Sequence, residues 1–124
     1  MNRALVVDDS RAMRMILSKA LTEEGFEVSQ AADGRAGLER MERDGGSFQL
    51  VMVDWNMPEL SGLEFVQAVR AQPRFGSVRL LMVTTETEIE QMVRALEAGA
   101  DEYLMKPFAP ESVKDKLRLL GMAE

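Results

Sequence analysis

The chain has 124 residues, of which 46% are hydrophobic, and its formal net charge is -6 at pH 7. It contains no cysteine and no histidine, which excludes disulfide bonds, thiolate or imidazole metal sites and histidine-based catalysis. The acidic balance argues against a nucleic-acid or membrane surface, and no apolar run approaches the roughly 18 residues of a membrane span. The N-terminus leads into a strand without a signal peptide, so we expect one cytoplasmic domain.

Apolar runs alternate with amphipathic segments along the whole chain. Short apolar runs bounded by turn residues are typical of buried parallel strands, whereas apolar residues three and four apart are typical of helices. The predicted strands are residues 1–7, 26–31, 50–54, 80–83 and 103–105. The predicted helices lie between residues 10 and 25, over 35–43, from 61 to about 71, from 87 to 99 and from 110 to about 120.

Capping residues and apolar stripes define these helices. Ser10 is the predicted N-cap of the first helix, and Ser61-Gly62-Leu63-Glu64 and Thr87-Glu88-Ile89-Glu90 match capping boxes. Gly25 and Gly99 are predicted to end the first and fourth helices. The apolar spacing of an amphipathic helix is formed by Met13, Ile16, Leu17, Ala20 and Leu21 on the first helix, and Ile89, Met92, Val93 and Leu96 mark the fourth. For Met92, contact with a partner is an equal alternative to core packing.

Five strands that alternate with five helices predict an α/β fold with one parallel sheet and helices on both faces. The common solution for this count is a doubly wound, flavodoxin-like sheet with strand order 2-1-3-4-5. That order places the first, third, fourth and fifth strands side by side.

Polar side chains follow four of these strands. Asp8 and Asp9 follow the first strand, Asp54 ends the third, Thr84 follows the fourth and Lys106 follows the fifth. Open α/β sheets bind ligands outside the carboxyl ends of their strands. Each residue alone could be an ordinary turn or capping residue. The set of four strand ends, however, predicts a site.

The chemistry of these side chains favours phosphoryl transfer. Neighbouring carboxylates about 4 Å apart repel by roughly 4 kcal/mol at an effective dielectric of 20, and oxygen ligands suit Mg²⁺. Asp54 is then a candidate nucleophile, while Mg²⁺, Lys106 and the Thr84 hydroxyl would each take one phosphoryl oxygen. The turn Asp8-Asp9-Ser10-Arg11 is not glycine-rich, which argues against a nucleotide site.

Four motifs carry a resemblance to a known family: Val7-Asp8-Asp9-Ser10, Val53-Asp54-Trp55-Asn56-Met57-Pro58, Val83-Thr84-Thr85-Glu86 and Lys106-Pro107-Phe108. With them the chain resembles, over essentially its whole length, the receiver domain of two-component response regulators. It is most similar to the single-domain chemotaxis (CheY) type.

The resemblance implies roles for the site residues. Asp54 would be the phosphoacceptor, and Lys106 would bind the phosphoryl group. The Lys106-Pro107 peptide bond would be cis. Mg²⁺ would be held by Asp9 and Asp54, by Asp8 through water and by the backbone carbonyl of Asn56.

The resemblance also implies a switch and a control of lifetime. Thr84 and Tyr103 would form the switch pair, and Asn56 and Glu86 would tune dephosphorylation. Thr85 departs from the family pattern, which usually has a very small residue there. Its β-branch would narrow access to the phosphoryl group and alter the turnover rate.

We therefore expect a monomeric single receiver domain over residues 1–124, without an output domain, which catalyses only its own phosphorylation and dephosphorylation. Its expected partners are a CheA-like sensor histidine kinase, a target such as the flagellar motor switch on the face of the fourth helix, fifth strand and fifth helix, and a phosphatase. The alternatives are a phosphorelay intermediate, a regulator of a kinase complex outside chemotaxis, an aspartate-nucleophile phosphatase and a receiver-like module that takes no phosphate.

Overall fold

A computed structural model describes residues 2–44, 47–85 and 89–123. Glu86, Gly45 and Gly46, and the first two residues of the predicted Thr87–Glu90 capping box lie outside these ranges. The strands are β1 (Arg3–Val7), β2 (Glu27–Ala31), β3 (Leu50–Asp54), β4 (Arg79–Thr85) and β5 (Glu102–Lys106). The helices are α1 (Arg11–Glu23), α2 (Gly34–Arg43), α3 (Gly62–Arg70), α4 (Ile89–Ala98) and α5 (Pro110–Leu119), with a 3₁₀ turn at Pro73–Phe75.

The five strands form one parallel sheet in the order β2-β1-β3-β4-β5, which confirms the predicted fold. All five residues of β3 are buried, as expected for a central strand covered on both faces. Neighbouring residues along each strand contribute to different cores, because side chains alternate across a strand. None of the described helices is long and apolar enough to cross a membrane.

Two hydrophobic cores lie on opposite faces of the sheet. One contains Val7 and Val53 with buried residues of α2, α3 and α4. The other contains Val6 and Met52 with buried residues of α1 and α5. The helices on each face therefore hold the strand ends in fixed positions relative to one another.

The predicted caps are present within the described residues. The Ser10 hydroxyl accepts a hydrogen bond from the Met13 amide, and Ser61 and Glu64 form a reciprocal capping box. Gly25 follows α1 with φ of 92°, a left-handed conformation that glycine adopts without strain. The Lys106-Pro107 bond is cis, as the resemblance implied.

The apolar residues that mark α4 lie mostly at the surface. Met92 is buried, with 7% exposure, but Ile89, Val93 and Leu96 are exposed. Met92 and Ala95 make the inward face, so the helix packs through a narrow strip. Ile16 of α1 is also exposed, although Leu17 and Leu21 are buried as predicted. Met92 belongs to the buried part of the protein rather than to an exposed surface.

Arg70 joins several segments at the amino ends of the strands, on the side of the sheet away from the predicted site. Its guanidinium donates to the carbonyls of Gly99 (2.9 Å), Phe75 (3.1 Å) and Val78 (2.8 Å) and to the Asp101 carboxylate (2.8 Å). The same Asp101 oxygen accepts the amide of Leu80 at 2.8 Å. One side chain thus connects α3, the 3₁₀ turn and the loops that flank β4 and β5.

We predict that Arg70→Met lowers the free energy of unfolding by about 2–3 kcal/mol, because it removes four charge-assisted hydrogen bonds to partly buried oxygens. Arg94→Met is the matched control, since Arg94 is exposed on α4 and its replacement should change stability by about 0.5 kcal/mol or less. Urea denaturation of both variants measures the difference. Equal losses would show that the Arg70 contacts contribute no more than a surface side chain.

Candidate functional site

The predicted polar residues meet at the carboxyl edge of the sheet. Asp54 is the last residue of β3, Lys106 is the last residue of β5, and Asp8 directly follows β1. Asp8 and Asp54 are buried, with exposures of 1% and 6%, and Thr84 is also buried. Asp9 is exposed. The parallel order brings these residues together because all the strand ends lie on one side.

Three carboxylates form a compact cluster. One oxygen each from Asp8, Asp9 and Asp54 lies within 4.8 Å of the others. Carboxylates this close repel one another unless a cation lies between or beside them. The cluster is therefore a candidate cation site of oxygen ligands.

Lys106 supplies the nearest positive charge. Its Nζ lies 3.1 Å from Asp54 Oδ1 and 3.8 Å from Asp8 Oδ2. The ammonium donates a hydrogen bond to Asp54, whereas its separation from Asp8 is an ionic contact without a hydrogen bond. Lys106 thus contacts two of the three carboxylates, and its single positive charge does not balance all three.

Asp8 is held in place mainly through its backbone and one carboxylate oxygen. The Ser10 amide donates to Asp8 Oδ1 at 2.8 Å, and the Asp8 amide donates to the Ala31 carbonyl at 3.1 Å. The Arg14 guanidinium donates to the Asp8 carbonyl at 2.8 Å. Asp8 Oδ2 is buried and has no hydrogen-bond partner among the described residues.

Burial changes the acidity of this pair. Burial is the main cause that raises the pKa of Asp8, and the Ser10 amide and the Lys106 charge oppose it. Burial also raises the pKa of Asp54, against the hydrogen bond from Lys106, and the Asp8 charge adds to the rise. Both carboxylates are therefore held in an environment that disfavours their charged forms.

The residues fit a hard divalent cation. The donors are carboxylate oxygens, one of them buried and without a hydrogen bond, and their charge exceeds what Lys106 neutralises. Mg²⁺ prefers such oxygen ligands and retains several waters, which suits a site with only a few protein ligands. Asp9 would contribute its exposed carboxylate, and Asp8 and Asp54 their buried ones.

The remaining predicted residues surround the cluster. Thr84 follows Val83, the cross-strand neighbour of Asp54, and Thr85 is the cross-strand neighbour of Lys106. Asn56 is exposed two residues after Asp54. Tyr103 is half-buried, three residues before Lys106 on β5, and packs against the core that contains α4.

Sequence reasoning missed two residues that shape the site. A Cβ atom at Gly62 would lie 2.5 Å from the Asp54 carbonyl oxygen, so glycine there lets α3 start beside the end of β3. Glycine directly after the N-cap Ser61 was the available signal. Arg14 supports Asp8 from α1 and also donates to Gln30 of β2, and nothing in its local pattern separates it from a surface arginine.

Comparisons with known proteins show a family and related sequences over most of the chain. The family model described as the response regulator receiver domain matches residues 4–118. Chemotaxis protein CheY1 of Helicobacter pylori is 39% identical over 119 residues, which cover 95% of each chain. Chemotaxis protein CheY of Pseudomonas aeruginosa is 36% identical over 116 residues, which cover 93% of this chain and 92% of that protein.

A solved structure shows the same fold. Chemotaxis response regulator CheY4 of Vibrio cholerae superimposes with a TM-score of 0.88 at 39% identity. The match covers 97% of this chain and 98% of that one. The architecture is thus shared along almost the whole length.

The raised pKa of Asp8 predicts how stability depends on pH in metal-free protein. Because its folded-state pKa lies above the ordinary value of 3.8, the native state binds this proton more tightly than the unfolded chain does. The free energy of unfolding should therefore fall as the pH rises from 3.8 through the raised pKa of Asp8 in the folded state. We predict that Asp8→Asn raises the melting temperature by a few degrees at pH 7 in the presence of EDTA.

Thermal unfolding over a series of pH values measures this effect. The gain should shrink as the pH falls toward 3.8 and vanish below it, where Asp8 is protonated in both the folded and the unfolded wild type. Asp9→Asn is the control, and it should have a smaller effect because Asp9 is exposed. A lower melting temperature for Asp8→Asn at pH 7 would contradict the prediction.

Proposed function

The chain belongs to the response regulator receiver domain family, and we propose that it is a phosphorylation-activated signalling protein that acts in the cytoplasm. In this proposal Asp54 accepts a phosphoryl group from a sensor histidine kinase, and the phosphorylated protein signals by binding another protein. The observation that carries the proposal is the buried Asp54 carboxylate at the end of β3, hydrogen-bonded to Lys106 beside two further carboxylates.

The proposed reaction transfers a phosphoryl group between two nucleophiles. An Asp54 oxygen attacks the phosphorus of a phosphohistidine in line with the P–N bond, an acyl phosphate forms, and the imidazole departs and takes a proton from water. Lys106 is held beside Asp54 before the reaction, so its ammonium can follow the developing charge onto a phosphoryl oxygen. In the proposal the Thr84 hydroxyl bonds another oxygen.

The proposed cofactor is Mg²⁺, held by Asp9 and Asp54, by Asp8 through water and by the Asn56 backbone carbonyl. When bound, the cation neutralises charge on the transferring phosphoryl group. Asp8 and Asp9 would hold the cation beside the acceptor, and Lys106 would donate to Asp54 and then to a phosphoryl oxygen.

An aspartate-nucleophile phosphatase is the weaker reading. That chemistry usually needs a second carboxylate near the nucleophile to act as general acid and base, and Asn56 stands where it would be expected. The proposal therefore confines catalysis to the phosphorylation and dephosphorylation of the protein itself.

The names of the relatives favour a role in chemotaxis. CheY1 of Helicobacter pylori and CheY of Pseudomonas aeruginosa are chemotaxis proteins, and each is matched over more than nine-tenths of its length. We therefore propose that residues 1–124 act as one receiver domain, that the kinase is CheA-like and that the target is a component such as the flagellar motor switch. A phosphatase would be a further partner.

The proposed docking surface for the target lies on α4, β5 and α5. Ile89, Val93 and Leu96 form an exposed apolar stripe along α4, and Met105 is exposed on β5. Apolar side chains grouped at a surface are typical of protein interaction sites. Their outward orientation supports docking at this face, because none of the three α4 residues is needed for the core.

Thr85 and two polar residues would set the lifetime of the phosphoryl group. Thr85 lies beside Lys106 across the β4–β5 pair, where its branched side chain would narrow the approach of water or a phosphatase. Asn56 and Glu86 lie two residues beyond Asp54 and Thr84 in sequence, and we propose that they tune attack by water.

Incubation with acetyl phosphate and Mg²⁺ should add one phosphoryl group to the protein. We predict that Asp54→Ala abolishes this incorporation, because it removes the attacking carboxylate. Intact-protein mass spectrometry measures the added mass, and hydroxylamine should remove it, as expected of an acyl phosphate. The wild type in EDTA serves as the metal control and should remain unmodified.

Asp8 and Asp9 test the assignments of the metal site and of the phosphoacceptor. Asp9→Asn should weaken the fluorescence response of Trp55, the single tryptophan, to Mg²⁺. Phosphate that persists on Asp8 or Asp9 in Asp54→Ala protein would mean that Asp54 is not the acceptor. Incorporation that is unchanged in EDTA would remove the metal from the proposal.

The proposed switch couples Thr84 to Tyr103. Tyr103 pairs with Met82 across the β4–β5 ladder, and Met82 lies two residues before Thr84 on β4. Thr84 and Tyr103 therefore project to the same face of the sheet. A Thr84 hydroxyl drawn toward the phosphoryl oxygens would open space beside α4, into which the Tyr103 ring could turn. The ring would then leave the surface that the target binds.

We predict that Thr84→Ala uncouples these events. Beryllofluoride, a phosphoryl analogue, should still change the fluorescence of Trp55, because Asp54 and Lys106 remain. The ¹⁹F resonance of 3-fluorotyrosine at Tyr103, the single tyrosine, should shift in the wild type and stay in place in Thr84→Ala. An equal shift in both proteins would show that the signal leaves the site by a route without Thr84.

A further inference from the structure

Lys116 of α5 lies against the ring of Tyr103. Its Nζ is 4.3 Å from the ring centroid, within the range of a cation–π interaction. The same Nζ donates a hydrogen bond to Glu102 Oε1 at 3.1 Å. Glu102 Oε1 in turn accepts the Tyr103 amide at 3.1 Å. The ammonium is thus fixed by a carboxylate that is itself bonded to the backbone of Tyr103.

The position of Lys116 is determined by both sides of the sheet. Tyr103 packs against the core that contains α4, whereas Val113 and Leu117 anchor α5 in the other core. β5 is the last strand of the sheet, so Lys116 reaches the ring around an edge rather than through the sheet. Its side chain is 22% exposed and that of Glu102 is 20% exposed, and solvent therefore screens the contact less than it screens a surface ion pair.

We propose that Lys116 is a positioning residue that holds the Tyr103 ring in its resting position and so sets the threshold of the switch. The inference rests on the proposed function, in which phosphorylation moves this ring toward Thr84. A ring that moves away from α5 leaves the ammonium, whereas the ion pair with Glu102 can remain. The cation–π contact is therefore present in one state and lost in the other, and it favours the resting state.

This contact predicts a change in the response to a phosphoryl analogue. A ligand that binds only the activated state has an apparent affinity that scales with the population of that state. Loss of a partly exposed cation–π contact should raise that population about threefold. Beryllofluoride should then bind about three times more tightly, although Lys116 does not touch the phosphorylation site.

The test compares Lys116→Met in the full chain with Lys116→Arg, Lys114→Met and Glu102→Gln. Lys116→Met keeps an unbranched apolar side chain and removes the charge, and Lys116→Arg keeps a cation that can lie over the ring. Lys114→Met is the matched control, because Lys114 is on the same helix but lines a different groove with Ala20 and Glu23. Glu102→Gln is the second route, since it releases the ammonium without removing it.

Two signals are read in each protein during a beryllofluoride titration at constant Mg²⁺. Trp55 fluorescence gives the half-saturating concentration, and the ¹⁹F resonance of fluorotyrosine gives the state of Tyr103. Lys116→Met should lower the half-saturating concentration about threefold. Glu102→Gln should change it in the same direction, and Lys114→Met and Lys116→Arg should match the wild type.

The outcomes separate this inference from the proposed function. A Lys116→Met titration that coincides with the wild type overturns the role of Lys116, as does an equal shift in Lys114→Met, which would indicate a general effect of charge. If beryllofluoride leaves the wild-type ¹⁹F resonance in place, the proposed switch at Tyr103 is wrong. If it moves that resonance but the variants bind equally, only the role of Lys116 is wrong.

Discussion

The hydrogen bond between Lys106 and Asp54 is the interaction on which the site depends. Three carboxylates meet within 4.8 Å at the end of a sheet, and a single ammonium lies among them. Burial raises the pKa of both Asp8 and Asp54, so the fold holds these carboxylates where their charged forms are disfavoured. A cluster kept in that condition gains from further positive charge, which is why it suits a divalent cation and a transferring phosphoryl group.

The charged side chains at the two ends of the strands make different kinds of contact. At the amino ends of the strands, Arg70 donates to three backbone carbonyls and to Asp101, which uses four of its five N–H groups. At the carboxyl ends, Lys106 makes one hydrogen bond to Asp54 and a longer contact with Asp8. A lysine ammonium on a flexible stem can exchange one oxygen for another, whereas the arginine could not move without breaking several bonds. The amino ends of the strands are thus held by several bonds of one arginine, whereas the ammonium at the carboxyl ends is held by fewer contacts.

The sequence predicted the strands, their order and the site residues at their ends, because apolar runs and the geometry of parallel sheets are local and general. It did not predict which face of α4 is buried. Regular spacing of Ile89, Val93 and Leu96 defines a stripe, but the contact with the sheet is made by Met92 and Ala95. Contacts such as those of Arg14 with Asp8 and Lys116 with Tyr103 join different elements of the fold, and no local pattern records them.

The energies of the resting contacts explain why such a switch could be reversed by one phosphoryl group. Lys106 and Lys116 each contact their partners at a partly exposed position, and a contact of this kind contributes about 1 kcal/mol. New charge-assisted hydrogen bonds to a phosphoryl group contribute about 1.5–3 kcal/mol each. Contacts from Lys106 and Thr84 would therefore outweigh the loss at Tyr103 by a small margin. A small margin keeps both states accessible, so removal of the phosphoryl group would restore the resting state.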